Sequence, residues 1–128
     1  MRTKLLWGVG GVVAVALVIA VVATGGGSVS GEVEGQGNPV AGETVFEGTC
    51  AACHGVEGTG TDQGPPLIHA YYRPGHHADG AFTLAIRNGV QPHHWDFGAM
   101  PPQPHLSDQD IADVTAYVRQ IQEAAGIR

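Results

Sequence analysis

Five residues constrain this chain more than any others: Cys50-Ala51-Ala52-Cys53-His54. Two thiols three positions apart, with an imidazole directly after, form the attachment signature of a c-type haem. Each thiol adds to one vinyl group on the porphyrin edge and forms a thioether. The two-residue gap lets both sulfurs reach from one helical turn, and the adjacent imidazole then faces the iron as its proximal ligand. Three other readings compete. A redox dithiol of the thioredoxin type follows an apolar strand, and Val45-Phe46-Glu47-Gly48-Thr49 does not read as one. A structural zinc site needs four ligands and would have to recruit distant histidines. A disulfide across two intervening residues is strained.

The chain has 128 residues, enough for one domain. Its formal charge of −6 includes Arg2 and Lys4 at the amino-terminal tip, so the remainder is more acidic still. That balance argues against nucleic acid, which requires basic patches. It is consistent with docking on a basic partner.

Leu5 to Ala23 is uninterrupted and uncharged. As a helix, this stretch would span about 28 Å, close to the thickness of a bilayer core. Basic residues precede it and none follows until Arg73, which places the amino terminus in the cytoplasm and the rest outside. Trp7 would sit near the inner boundary. The favoured reading is a signal anchor over 1–23; the alternative is a secretory peptide cleaved after Ala23. Residues 24–37 are rich in Gly and Ser without periodicity and read as a flexible linker with a reach of about 20 Å. The domain proper is 38–128, about ninety residues, which is small for a hydrophobic core alone.

Asn38-Pro39 opens a helix, with Asn38 as N-cap and Pro39 at the first position. The helix is expected to run to about Ala52. Here the segment NPVAGETVFEGTCAACHG resembles the first helix of the class I cytochromes c. In that family a glycine and an aromatic one turn later pack on the last helix, and Gly42 and Phe46 occupy those places. Gly64-Pro65-Pro66-Leu67 resembles the family's Gly-Pro-x-Leu turn. By that resemblance the Pro65 carbonyl accepts a hydrogen bond from His54, and Leu67 packs on the haem face. A metal-bound histidine needs its other N–H satisfied in this way. A purely structural turn is the alternative. The glycine pattern within 55–64 follows no strand, so it carries no nucleotide-binding reading.

Asp79 is expected to cap a short helix over 80–88 that Gly89 stops. Met100 is the only methionine besides the initiator and lies between Gly98 and Pro101-Pro102. In the family the sixth ligand is a methionine, usually followed by proline, shortly before the last helix. Met100 matches that pattern, and the resemblance makes it the distal iron ligand; a gap-filling core methionine is the alternative. A thioether opposite His54 raises the reduction potential.

Besides His54, six histidines occur: His69, His76, His77, His93, His94 and His105. The adjacent His93 and His94 cannot both face one ion from a regular strand, so surface or rim positions are favoured over a second metal site. His93 or His94 as distal ligand is the rival to Met100. Trp95 and Arg87 are candidate donors to the haem propionates. Ser107 caps the last helix, whose stripe Ile111, Val114, Val118 and Ile121 recurs at helical spacing.

The resemblance covers Asn38 to about Gln122. It implies a small all-α bundle around one haem c, covalent through Cys50 and Cys53, with an amino-terminal transmembrane helix. It also implies haem attachment on the outer side of the cytoplasmic membrane. The function expected is single-electron transfer between membrane redox complexes of a respiratory chain, not enzymatic catalysis. A fixed haem subunit of a larger respiratory oxidoreductase is the second reading, and a haem sensor or peroxidase-like enzyme the third.

Overall fold

The computed structural model describes residues 36–128. The apolar stretch over 5–23 and nearly all of the linker lie outside the described residues. Among those residues, no helix is long and apolar enough to cross a membrane.

Chain entry is set by Asn38, whose side-chain oxygen accepts from the backbone N–H groups of Val40 and Ala41 at 3.0 and 3.4 Å. With Pro39 in the first turn, helix α1 runs Pro39–Val45. The sequence suggested one regular helix to Ala52. Instead α1 continues through a π turn, Phe46–Cys50, into the short α2, Ala51–His54. Phe46, Cys50 and His54 follow one another at intervals of four. In a regular helix such a series drifts sideways by about 40° per step. The under-wound π turn offsets the drift, and all three side chains reach the same cavity.

The remaining helices are α3, Asp79–Asn88, and α4, Asp108–Ala124. Ala78, not Asp79, is the N-cap of α3. The Asp79 carboxylate turns away from its own backbone to pair with Arg119 on α4 at 2.7 Å. Gly89 ends α3 with φ of 73°. Ser107 caps α4 with a reciprocal capping box: its Oγ accepts from the Asp110 N–H at 3.1 Å, while its own N–H donates to the Asp110 carboxylate at 2.8 Å. These bonds to Ser107 hold the Asp110 pKa below the usual carboxylate range. The cap is therefore complete above that range and is lost as pH falls through the lowered value.

The core forms where α1 crosses α4. Phe46 is fully buried and meets Tyr117 at a ring-centroid distance of 5.3 Å. Ile111, Val114 and Val118 of the expected stripe are buried with them. The close approach requires a residue without a side chain: a β-carbon at Gly42 would lie 2.0 Å from the Asp113 carbonyl oxygen. Asp113 closes the crossing by accepting from the Asn38 N–H at 2.7 Å and from Gln109 at 2.8 Å.

Gly42→Ala therefore forces the two helices apart. The expected loss is about 3 kcal/mol, seen as a fall in Tm of more than about 10 °C by thermal circular dichroism.

Candidate haem site

One cavity of about 420 Å³ opens between the α1–α2 rod, α3, the middle of α4 and the segment after Gly89. Its walls are mainly apolar, and they include Phe46, Leu67, Phe82, Ile86 and Val118. Cys50, His54, Pro65, Trp95 and Met100 also line it. Of the candidate haem-binding residues, the structure thus brings Cys50, His54, Pro65, Leu67, Trp95 and Met100 to one cavity, and His93 and His94, the rivals to Met100, line it as well.

His54 projects from the end of α2, and its Nδ1 lies 2.9 Å from the Pro65 carbonyl oxygen. A carbonyl only accepts, so Nδ1 carries the proton and Nε2 keeps its lone pair. Burial lowers the His54 pKa, and the bond to Pro65 opposes this in part; the imidazole stays neutral and available to a metal. The loop that presents Pro65 is itself held by backbone bonds, Gly60 N–H to His54 O at 2.6 Å and Leu67 N–H to Gly58 O at 2.8 Å.

The two thiols differ. Cys50 is half-buried in the cavity wall, while Cys53 is exposed and does not line the cavity. Burial, with a smaller contribution from Cys53, pushes the Cys50 pKa up to about 11. Met100, in the same cavity lining, is held by an isolated antiparallel bridge: Val90 and Met100 exchange N–H···O bonds of 3.0 and 2.9 Å. Gly89 permits this pairing, since a β-carbon there would lie 2.5 Å from the Met100 carbonyl oxygen.

Trp95 Nε1 is buried and completes no hydrogen bond among the described residues. It sits near the Tyr72 phenol, whose pKa burial raises and Trp95 draws back, but the two do not reach hydrogen-bond geometry. A buried, unsatisfied N–H is costly unless something supplies an acceptor. A carboxylate of a bound porphyrin would do so, and in this respect the cavity fits a haem. Arg87 is not brought to the cavity. Its guanidinium pairs with Asp108 and donates to the Leu106 carbonyl at 3.3 Å, because its place at the end of α3 faces the start of α4.

Arg119 lies in the second half of α4. In the structure it donates to Asp79, to Gln122 and to the carbonyls of Tyr72 and His77, and it lies 4.7 Å over the Phe82 ring. Buried Gln122 adds bonds to the carbonyls of Leu67 and Tyr72 at 2.8 and 3.2 Å. Together they fasten the 67–79 segment against α4. No sequence pattern marks such side chain to backbone bonds. The rim beyond Trp95 carries His76, His77, His93 and His94 in mutual ring contact. Partial burial first, and then the neighbouring imidazoles, lower the His94 pKa.

A helical domain whose apolar cavity is lined by Cys50 and His54 of a C-x-x-C-H motif and by Met100 defines a haem-binding electron-transfer domain. The cytochrome c family model matches residues 39–122, and the chain belongs to that family. The cbb3-type cytochrome c oxidase subunit CcoP of Rhodobacter capsulatus is 32% identical over 98 residues, 73% of this chain and 32% of its own length. The chain thus spans about a third of that curated relative. No solved structure gives a significant match.

Two measurements probe the site. In chain produced without haem attachment, iodoacetamide modifies Cys53 first. With a pKa of about 11, the Cys50 thiol is only ~0.1% thiolate at pH 8, and its alkylation rate rises about tenfold per pH unit up to that value. In the matured ferric protein, a weak sulfur-to-iron band near the red edge of the spectrum is expected. Met100→Ala abolishes that band and lets the reduced protein bind carbon monoxide; persistence of the band would remove Met100 from the iron.

Proposed function

We propose that this protein is a mono-haem c-type cytochrome carrying single electrons between membrane redox complexes on the outer face of the cytoplasmic membrane. The observation that carries this reading is the convergence of Cys50, His54 and Met100 on one apolar cavity. Haem c, when bound through Cys50 and Cys53, supplies reversible one-electron chemistry at its iron. His54 would hold the iron through Nε2, its tautomer and orientation set by Pro65. Met100 would hold it through its thioether, on a backbone fixed by the bridge to Val90 and by the prolines that follow. Leu67 and the apolar wall keep water from the porphyrin faces, and that low dielectric favours the less charged ferrous state. Trp95 would donate to a propionate through its unpartnered N–H. An iron held by both His54 and Met100 would have no place for substrate, which favours transfer over catalysis.

The anchor read from residues 1–23 and the linker over 24–37 support a domain tethered to the membrane, with the basic tip inside. The linker's length favours a carrier that swings between partners. The similarity to CcoP favours the second reading, a haem c subunit of a larger respiratory oxidoreductase. Extraction in mild detergent followed by a native gel stained for haem separates the two. Migration as a small species supports the carrier; co-migration with oxidase or dehydrogenase subunits assigns the chain to a complex. Either reading fails if the intact mass of natively matured protein contains no added porphyrin.

A further inference from the structure

We propose that His76, His77 and His94 bind a single divalent transition ion, of the Cu²⁺ and Zn²⁺ class, at the rim of the cavity. With Met100 as the distal ligand the haem needs none of these side chains, although His77 and His94 also line its cavity. They come from two segments eighteen positions apart, yet one ring nitrogen from each lies within 4.8 Å of the others. His76 Nε2 and His94 Nε2 are 3.2 Å apart. Two nitrogens bound tetrahedrally at about 2.0–2.1 Å from one ion would be separated by about 3.3 Å, so this pair already spans one edge of a metal site. The third nitrogen needs a shift of about an ångström, within reach of a side chain at the surface.

The third ring is prepared for the task. His77 Nδ1 donates to the Tyr71 carbonyl at 2.5 Å, which leaves the Nε2 lone pair directed outward. A carbonyl on the far nitrogen is the usual partner of a metal-bound imidazole. Arg119 holds the His77 backbone through its carbonyl, and His94 is stacked on Tyr71 at 4.6 Å. His93 stands beside them, its ring 4.3 Å from that of His94. Its Nδ1 faces the Gln91 carbonyl at 3.0 Å, and it stands outside the group of three whose ring nitrogens lie within 4.8 Å of one another. A donor set of imidazoles without thiolate selects borderline ions over Ca²⁺ and Mg²⁺, and Cu²⁺ binds more tightly than Zn²⁺. The ion would cross-link the loop after Tyr72 to the segment that carries Trp95 and leads to Met100.

This site is built from the chain's own rings and does not rest on the electron-transfer reading. The test uses untagged, natively matured protein, stripped with chelator and titrated calorimetrically with ZnCl₂ in a non-coordinating buffer, with Cu²⁺ paramagnetic resonance alongside. One equivalent should bind, with the Cu²⁺ spectrum showing hyperfine coupling to several nitrogens. The double variant His76→Asn/His94→Asn should lose at least ~100-fold in affinity, while His105→Asn, outside the cluster, retains it. The haem spectrum reports separately whether each variant is folded. Should the double variant not mature, His77→Asn serves in its place, with a smaller loss of the same sign. No uptake by the native protein, or uptake that these substitutions leave unchanged, overturns the proposal.

Discussion

The contact on which the remainder is built is the crossing of α1 over α4 at Gly42. A β-carbon at that place would lie inside the Asp113 carbonyl, so the helices touch backbone to backbone. That proximity sets the angle at which the rod continues through Phe46, Cys50 and His54. It lets Phe46 bury itself completely against Tyr117 and directs the next two members of the series into the cavity. A domain of about ninety residues has little core to spare. One crossing therefore serves as both the hydrophobic centre and the mount for the C-x-x-C-H segment. The haem wall inherits its position from a glycine eight residues before the first thiol.

Much of this was legible in the sequence, because local chemistry determined it. The Asn38 cap, the Ser107 cap and the Gly89 stop are signals read from one or two residues, and each lies where its side chain dictates. The Gly42 and Phe46 spacing and the Pro65 carbonyl came through resemblance to a family, and the geometry agrees with both. The misses share a cause. The π turn over Phe46–Cys50 leaves no mark in composition. Asp79 had the residue type of a cap, but a guanidinium forty positions away outcompeted its own backbone. Arg87 has the right chemistry for a propionate, but its guanidinium pairs with Asp108. The histidine cluster is not visible in the sequence because a regular strand would turn His93 and His94 apart, whereas the chain there is irregular and the third and fourth rings arrive from another loop. Long-range polar pairing, rather than helix propensity or pattern, is where one sequence runs out.

The two sides of the cavity are held by different means. On the His54 side the wall is a helical rod, backed by the main-chain bonds of Gly60 and Leu67 and by the Pro65 carbonyl. On the Met100 side there are a two-residue bridge to Val90, a bond from the Gln103 N–H to the Ile86 carbonyl at 2.7 Å and a run of prolines, with no helix from Gly89 to Ser107. Backbone held by a few isolated bonds opens at lower free energy than backbone inside a packed helix. The methionine side is therefore the side that yields first, and the side where the domain is sensitive to what its loops touch.

That asymmetry gives the rim a physical meaning. Trp95 sits between the histidine cluster and Met100, its N–H turned inward and unsatisfied, its ring against His69 and Tyr71 at 5.0 and 5.5 Å. Tyr72 and His77, on the opposing loop, are fastened to α4 by Arg119. One loop is thus anchored to α4, and the other, which leads to Met100, meets it through aromatic contacts and imidazole pairs. Any interaction that joins these rings, whether a proton shared between His76 and His94 or an ion among three of them, transmits the rigidity of α4 to the segment before Met100. In this fold the stability of the methionine side is set less by Met100 itself than by how firmly the rim closes over Trp95.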